Sequence, residues 1–315
     1  MSRIHDALRK AERERSSGIA SEEPGLLSET AVTETTRPPA PPIPAVDLEA
    51  LRAAPKKTDA RDSARIEEKQ LSQIAQVPWN PDKKTMLFFD EQNHALGTEQ
   101  FRSLRSHLYL IRKELPLKKV LVTSPLPKEG KTFVAGNLAQ AFVRQQDRRV
   151  LVIDADLRRS DMHAWFGAAA APGLSDYLAG EAETFQIIQR GPLDNFFFIP
   201  GGKTVSNPLE LIGNGRLRTL LDRVAPVFDW IILDSPPATL VSDAKLLADM
   251  CDGVLMVVQA AATPFDVAQK GCQEFRGKRI LGVVLNRAQG ASVYSTFQYY
   301  DEVQHRGKPE TSAKQ

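Results

Sequence analysis

The residues best suited to do chemistry lie in Val120–Phe133 (VLVTSPLPKEGKTF). An apolar strand runs into a loop, and Gly130-Lys131-Thr132 opens a helix. The N–H groups of such a loop and first helical turn receive phosphate oxygens. Gly130 lets the backbone approach closely, Lys131 reaches the β- and γ-phosphates, and Thr132 is a ligand for Mg²⁺. The usual pattern has Gly where this chain has Pro125. Gly-Lys-Thr alone also occurs at ordinary strand–turn–helix corners, so the flanking elements matter.

Two further strands end in acids. VLVIDADLR, residues 150–158, places Asp154 and Asp156 just past an apolar run, and DWIILDSPP, residues 229–237, ends its run in Asp234. In open α/β sheets, ligands sit beyond the carboxyl ends of the strands. One such Asp is commonly a cap or a turn former. Three of them with a phosphate loop point to a single Mg²⁺–nucleotide site. Asp234 then binds the metal directly or through water, and Asp154 either contacts Mg²⁺ or accepts a proton from the attacking group.

The elements that must position these groups alternate. Strands are predicted at 120–124, 149–153, 196–199, 230–233, 253–258 and 280–285. Helices are predicted from the Gly-Lys-Thr turn to about 145 and over 207–224, 242–250 and 265–275. Apolar, β-branched runs alternating with helices predict an α/β fold with a mostly parallel sheet covered on both faces.

Composition sets the limits. In 315 residues, 42% are hydrophobic and 25% charged, with a formal charge of +2. That balance argues against a strongly basic nucleic-acid binder. No apolar run approaches the ~18 to 20 residues of a membrane span. The charged N-terminus lacks a secretory apolar core. Cys251 and Cys272 are too few for a disulfide framework and suit a reducing compartment. No aromatic residue precedes Trp79 or follows Tyr300, and seven of the 21 prolines fall between Gly18 and Arg65. The expected organisation is a short amphipathic helix at 1–17, a flexible Pro-rich linker at 18–78, a folded domain at 79–290 and a tail at 291–315. The first helix reads either as a solvated end or as a docking helix for a partner groove.

These elements together resemble the bacterial tyrosine kinases of polysaccharide biosynthesis over about residues 85–300. The resemblance rests on a Walker A variant at Ser124–Thr132, a Walker A′ segment at Val150–Arg158 and a Walker B segment at Ile231–Pro237. It also includes an E-x-x-R-x-x-R helix with Glu99, Arg102 and Arg105, and the segment NPLELI from Asn207. It implies a P-loop fold related to the Min and Par ATPases. Those relatives carry an extra loop Lys where this chain has Leu126, which favours the kinase branch. The implied cofactors are ATP and Mg²⁺. The implied nucleotide contacts are Ser124, Lys128, Glu129, Gly130, Lys131, Thr132, Phe133, Arg158, Asn286 and Arg287, with Thr132, Asp154 and Asp234 at the metal. Lys131, Asp154, Asp156 and Asp234 are the implied catalytic set. By spacing alone, Glu99, Arg102 and Arg105 read as an ion-pair face within one helix; the resemblance implies that they pack subunits into a ring.

Three of the five tyrosines, Tyr294, Tyr299 and Tyr300, cluster in SVYSTFQYY. They read either as a closing strand or as a substrate cluster; the resemblance implies autophosphorylation there. It further implies a membrane activator of the chain-length-regulator type, a cognate tyrosine phosphatase, and a cytoplasmic place at the inner membrane held through a partner. The rival reading is an ATP-hydrolysing assembly switch without tyrosine kinase activity, and a third is a catalytically quiet scaffold.

Overall fold

The computed structural model describes residues 70–288 apart from 72, 91, 93 and 146. The predicted N-terminal helix, nearly all of the linker and the tyrosine tail lie outside the described residues.

Seven strands form one sheet: β1 (Lys119–Thr123), β2 (Val150–Asp154), β3 (Gln189–Arg190), β4 (Phe196–Ile199), β5 (Trp230–Asp234), β6 (Gly253–Gln259) and β7 (Ile280–Asn286). Their order is β3-β4-β2-β5-β1-β6-β7. Every pairing is parallel except the antiparallel β3–β4 edge. Each predicted strand is present within a residue or two. The helices are α1 (Ala95–Glu114), α2 (Lys131–Val143), α3 (Met162–Phe166), α4 (Leu174–Ala179), α5 (Thr184–Ile187), α6 (Pro208–Gly213), α7 (Arg216–Val224), α8 (Asp243–Ala248) and α9 (Phe265–Gln273). A 3-10 turn at Leu87–Phe89 precedes α1.

Successive side chains on a strand point to opposite faces, and the central strands feed two cores accordingly. Val120, Val122, Val152, Trp230 and Ile232 join Leu108 of α1 and Leu138 and Phe142 of α2. Leu121, Leu151, Ile153, Ile231 and Leu233 join Leu174, Leu220 and Leu247 on the other face. A parallel sheet covered on both sides explains why these strands read as unbroken apolar runs.

Two expectations are corrected. The helix predicted over 207–224 is two helices. Gly215 sits at φ 87°, which a helix interior excludes, and the Asn214 side chain accepts from Arg216 N at 2.9 Å. Residues 70–78, expected in the linker, pack on the domain. Leu71 is 2% exposed within the core, and Val77 N donates to Arg190 O at 3.0 Å. The absence of aromatics there hid the boundary, because one leucine and a backbone bridge between Gln76 and Arg190 do the anchoring.

Leu71→Ala is therefore expected to lower unfolding stability by about 2–5 kcal/mol, the cost of emptying a buried leucine site. Urea unfolding checks it; a change within about 0.5 kcal/mol, normal for a surface position, would return residues 70–78 to the linker.

Candidate nucleotide-binding site

The site is assembled by register. β1, β5 and β2 lie side by side, with Asp154 level with Asp234 and Val122 level with Asp234. The phosphate loop leaves β1 at the same end, so the loop and both acids share one edge of the sheet. Gly130 caps α2 at φ 95° and ψ 24°. A Cβ there would lie 2.0 Å from Asn286 Nδ2, so only glycine fits. Lys128 is also left-handed, at φ 66°, and stays exposed. The residue in the usual glycine position, Pro125, packs where a Cβ on Gly271 of α9 would come within 2.9 Å of its ring. Its carbonyl accepts from Thr239 Oγ1 at 2.6 Å.

Lys131 lies at the centre. Its Nζ donates to Asp156 Oδ2 at 2.8 Å and lies 3.8 Å from Asp234 Oδ2. Thr132 Oγ1 donates to Asp234 Oδ2 at 2.6 Å. Burial works against the ammonium, but Asp234 and Asp156 outweigh it and raise the Lys131 pKa. The acids meet the opposite pressure. Burial, then the charge of Asp234, pushes Asp154 up to about 8. Burial pushes Asp234 up to about 6 against the pull of Lys131. Asp154 is held by Asp156 N at 3.2 Å on Oδ1, and by Ser160 Oγ at 2.7 Å and Met162 N at 3.3 Å on Oδ2.

The other expected contacts fall into three groups. Ser124 is buried in the loop, with Oγ donating to Leu126 O at 2.7 Å. Glu129 is 2% exposed and acts as a strut. Its carboxylate accepts from Leu126 N at 2.6 Å, from Gln259 N at 3.4 Å and from Thr263 Oγ1, while its carbonyl accepts from Asn286 Nδ2 at 2.8 Å. The Phe133 ring packs edge-on against Phe101 of α1 at 5.7 Å, leaving its N–H among the unsatisfied first-turn donors. Arg158 is engaged elsewhere, on both oxygens of buried Asp243 at 2.7 and 3.0 Å. Arg287 points its guanidinium at Gln259 Oε1, at 3.4 Å.

On α1, Glu99 and Arg102 form a half-exposed pair at 3.2 Å. Arg105 does not share their outlook, because its Nη1 donates to Ala141 O, near the end of α2, at 2.6 Å. Sequence reasoning missed Ser160, Asp243 and Thr263. Asp243 had the signature of a helix start, and nothing in spacing linked it to Arg158.

Mg²⁺ and phosphate suit this donor set. Two buried acids and Asp156 face one lysine, and Asp234 Oδ1 is buried with no hydrogen-bond partner. Among the described residues no group of three or more His, Cys, Asp or Glu is spaced as a metal cage. A cation held mainly through nucleotide phosphates, with one carboxylate and a threonine, needs none. Among the same residues no helix is long and apolar enough to cross a membrane.

The raised Asp154 pKa fixes a sign. A carboxyl that titrates at 3.8 unfolded and about 8 folded gives stability fully present below 3.8 and lost as pH rises through about 8. Without nucleotide or Mg²⁺, Asp154→Asn is expected to gain in Tm on the parent chain between about pH 5 and about pH 8. Melting curves across that range check it; a difference flat with pH would mean Asp154 is ionised throughout.

An AAA domain model matches residues 129–276. The chain is 30% identical to tyrosine-protein kinase YwqD of Bacillus subtilis over 208 residues, covering 65% of this chain and 87% of that one. It is 28% identical to tyrosine-protein kinase ptk of Acinetobacter johnsonii over 250 residues, covering 75% of this chain but only 34% of that protein's length. The solved kinase domain of the Escherichia coli tyrosine kinase ETK matches with a TM-score of 0.57 and 34% identity, covering 62% of this chain and 78% of that one. With the phosphate loop and strand-end acids in place, the chain belongs to the bacterial tyrosine-protein kinase family.

Proposed function

We propose that this chain is an ATP-dependent protein-tyrosine autokinase whose acceptors are Tyr294, Tyr299 and Tyr300, and that it regulates exopolysaccharide or capsule synthesis and export. The observation that carries the reading is Lys131 held 2.8 Å from Asp156 and 3.8 Å from Asp234 at the start of α2, in a chain whose relatives are named tyrosine-protein kinases. Those carboxylates hold the ammonium where phosphates would draw it away.

ATP phosphates would be received by the N–H groups around Gly130 and by Lys131, which exchanges its carboxylates for phosphate oxygens. Thr132 and Asp234, with Asp154 behind them, would hold Mg²⁺. When bound, that ion offsets negative charge on the phosphates. The phenolic oxygen forms the new bond to the γ-phosphorus as the bond to ADP breaks. The phenolic proton passes to Asp154 in its carboxylate form, which nearby positive charge from a bound cation would favour. Asp156 orients Lys131 before the nucleotide arrives. Asn286 and Arg287 close the site on the base side. Positioning and electrostatics supply most of the acceleration in this chemistry.

The Glu99–Arg102 pair, exposed on α1, supports a homo-oligomeric ring in which a tail is phosphorylated by a neighbour. A membrane activator of the chain-length-regulator type, a cognate phosphatase and a cytoplasmic position at the inner membrane complete the reading.

The test is intact mass after incubation with MgATP. Gains in phosphate units are expected, lost in Lys131→Met and in Tyr294/Tyr299/Tyr300→Phe. ADP release with no added mass would overturn the kinase reading in favour of an ATP-hydrolysing assembly switch.

A further inference from the structure

A pocket walled by charged side chains lies at the other end of the sheet. It holds about 280 Å³ and is lined by Tyr109, Arg112 and Lys113 of α1 and by Arg148, which precedes β2. Trp230, the first residue of β5, lies beneath it, with Arg112 over the indole at 4.8 Å and Tyr109 edge-on at 5.4 Å. Asp234, in the nucleotide site, is at the opposite end of the same strand, about 13 Å away by strand geometry. A ligand here cannot be part of the nucleotide already described.

The charge balance favours an anion. Three cations line the pocket. The carboxylate of Asp229 takes Arg148 Nη1 at 3.0 Å on one oxygen and Arg149 N at 3.0 Å on the other. Arg112 reaches only the Asp229 carbonyl, at 3.1 Å. Asp147 adds to the field at Arg148. Nearby Lys118 is lowered by burial and then by the charge of Arg112, with Asp229 and Asp252 pulling the other way. The phenol adds a directional donor. Tyr109 Oη accepts from Trp230 Nε1 at 3.2 Å, so its own proton is left for a ligand.

We infer that this pocket binds a phosphate monoester dianion, and specifically an aryl phosphate of the phosphotyrosine kind. Two forked guanidiniums, an ammonium and a hydroxyl donor match the oxygens of a dianion. The Tyr109 ring at the wall gives an aryl group something to stack on. The choice of phosphotyrosine as source rests on the kinase reading above; the anion chemistry of the pocket does not. A phosphorylated segment seated here is held apart from any nucleotide site on the same chain, so the pocket would serve as a docking point for the reaction product.

The test follows the Trp230 indole N–H signal by NMR in the full chain, with the nucleotide site saturated by MgADP. The probes are N-acetyl-phosphotyrosine amide, inorganic phosphate and N-acetyl-tyrosine amide, none of which requires the chain to be an active kinase. The expected result is a saturable shift with phosphotyrosine and none with tyrosine. Lys113→Ala/Arg148→Ala should bind about tenfold or more weakly, from the loss of two charge-assisted contacts, while its melting curve shows the fold retained. Equal affinity for inorganic phosphate would keep the anion site but overturn the aryl assignment. No saturable shift at millimolar ligand, the scale of the weakest specific binding, or an unchanged shift in the double variant, would overturn the site itself.

Discussion

The arrangement of the structure depends on negative charge buried at the ends of β2 and β5 with one ammonium to answer it. Asp154 and Asp234 are almost wholly buried, and Asp156 is 3% exposed. Lys131 reaches two of the three. Removing carboxylates from water costs several kcal/mol each unless they are paired or protonated. The fold meets that cost by pushing both Asp154 and Asp234 toward the protonated form. Such an arrangement spends stability in the free protein and recovers it when positive charge arrives, as sites built for a ligand do.

Backbone pairing, rather than side-chain packing, brings those charges together. Asp154 and Asp234 face each other because β2 and β5 run in register to the last residue, and β1 delivers the loop at the same level. A parallel sheet buried on both faces fixes register through its two cores, since a one-residue slip would exchange the side chains that each strand sends to either one. The loop is then pinned from the far side. The carbonyl of Glu129 takes Asn286 at the end of β7, and its carboxylate takes the N–H of Gln259, the last residue of β6. The phosphate loop is thus tied to β6 and β7 as well as to β1 and α2, from which it leaves.

How much of this was legible follows from the same physics. Strand identity and order of chemistry were readable because buried parallel strands are unbroken apolar runs, and because Gly-Lys-Thr after one strand stands with acids at the ends of two more. The small helices α3, α4 and α5 and the edge strand β3 were not. They are two to six residues long, too short for a periodic signal to develop. The early start of the folded region was invisible because Leu71, a partly buried Ile74 and a backbone bridge at Gln76 anchor it without any aromatic residue. Arg158 looked like a nucleotide contact by position, yet it grips Asp243 85 residues away; no spacing rule reaches across that interval. Arg105 was likewise readable as a helix-face charge, but which way it turned depended on where α2 ended.

That turn of Arg105 links the two ends of α2. Its guanidinium donates to Ala141 O in the last turn of the helix, where the peptide dipoles leave partial negative charge. The first turn of the same helix carries Gly130, Lys131 and Thr132, where the dipoles leave partial positive charge for phosphate. Near that end, Phe133 rests on Phe101 of α1. Helix α1 therefore grips α2 close to the phosphate site and again at its far end, while Glu99 and Arg102 face outward from α1. A rigid helix held at both ends by its neighbour transmits displacement as a unit. Contacts made on the outer face of α1 therefore bear on the helix that presents Lys131 to the nucleotide, without any residue of α1 entering the site.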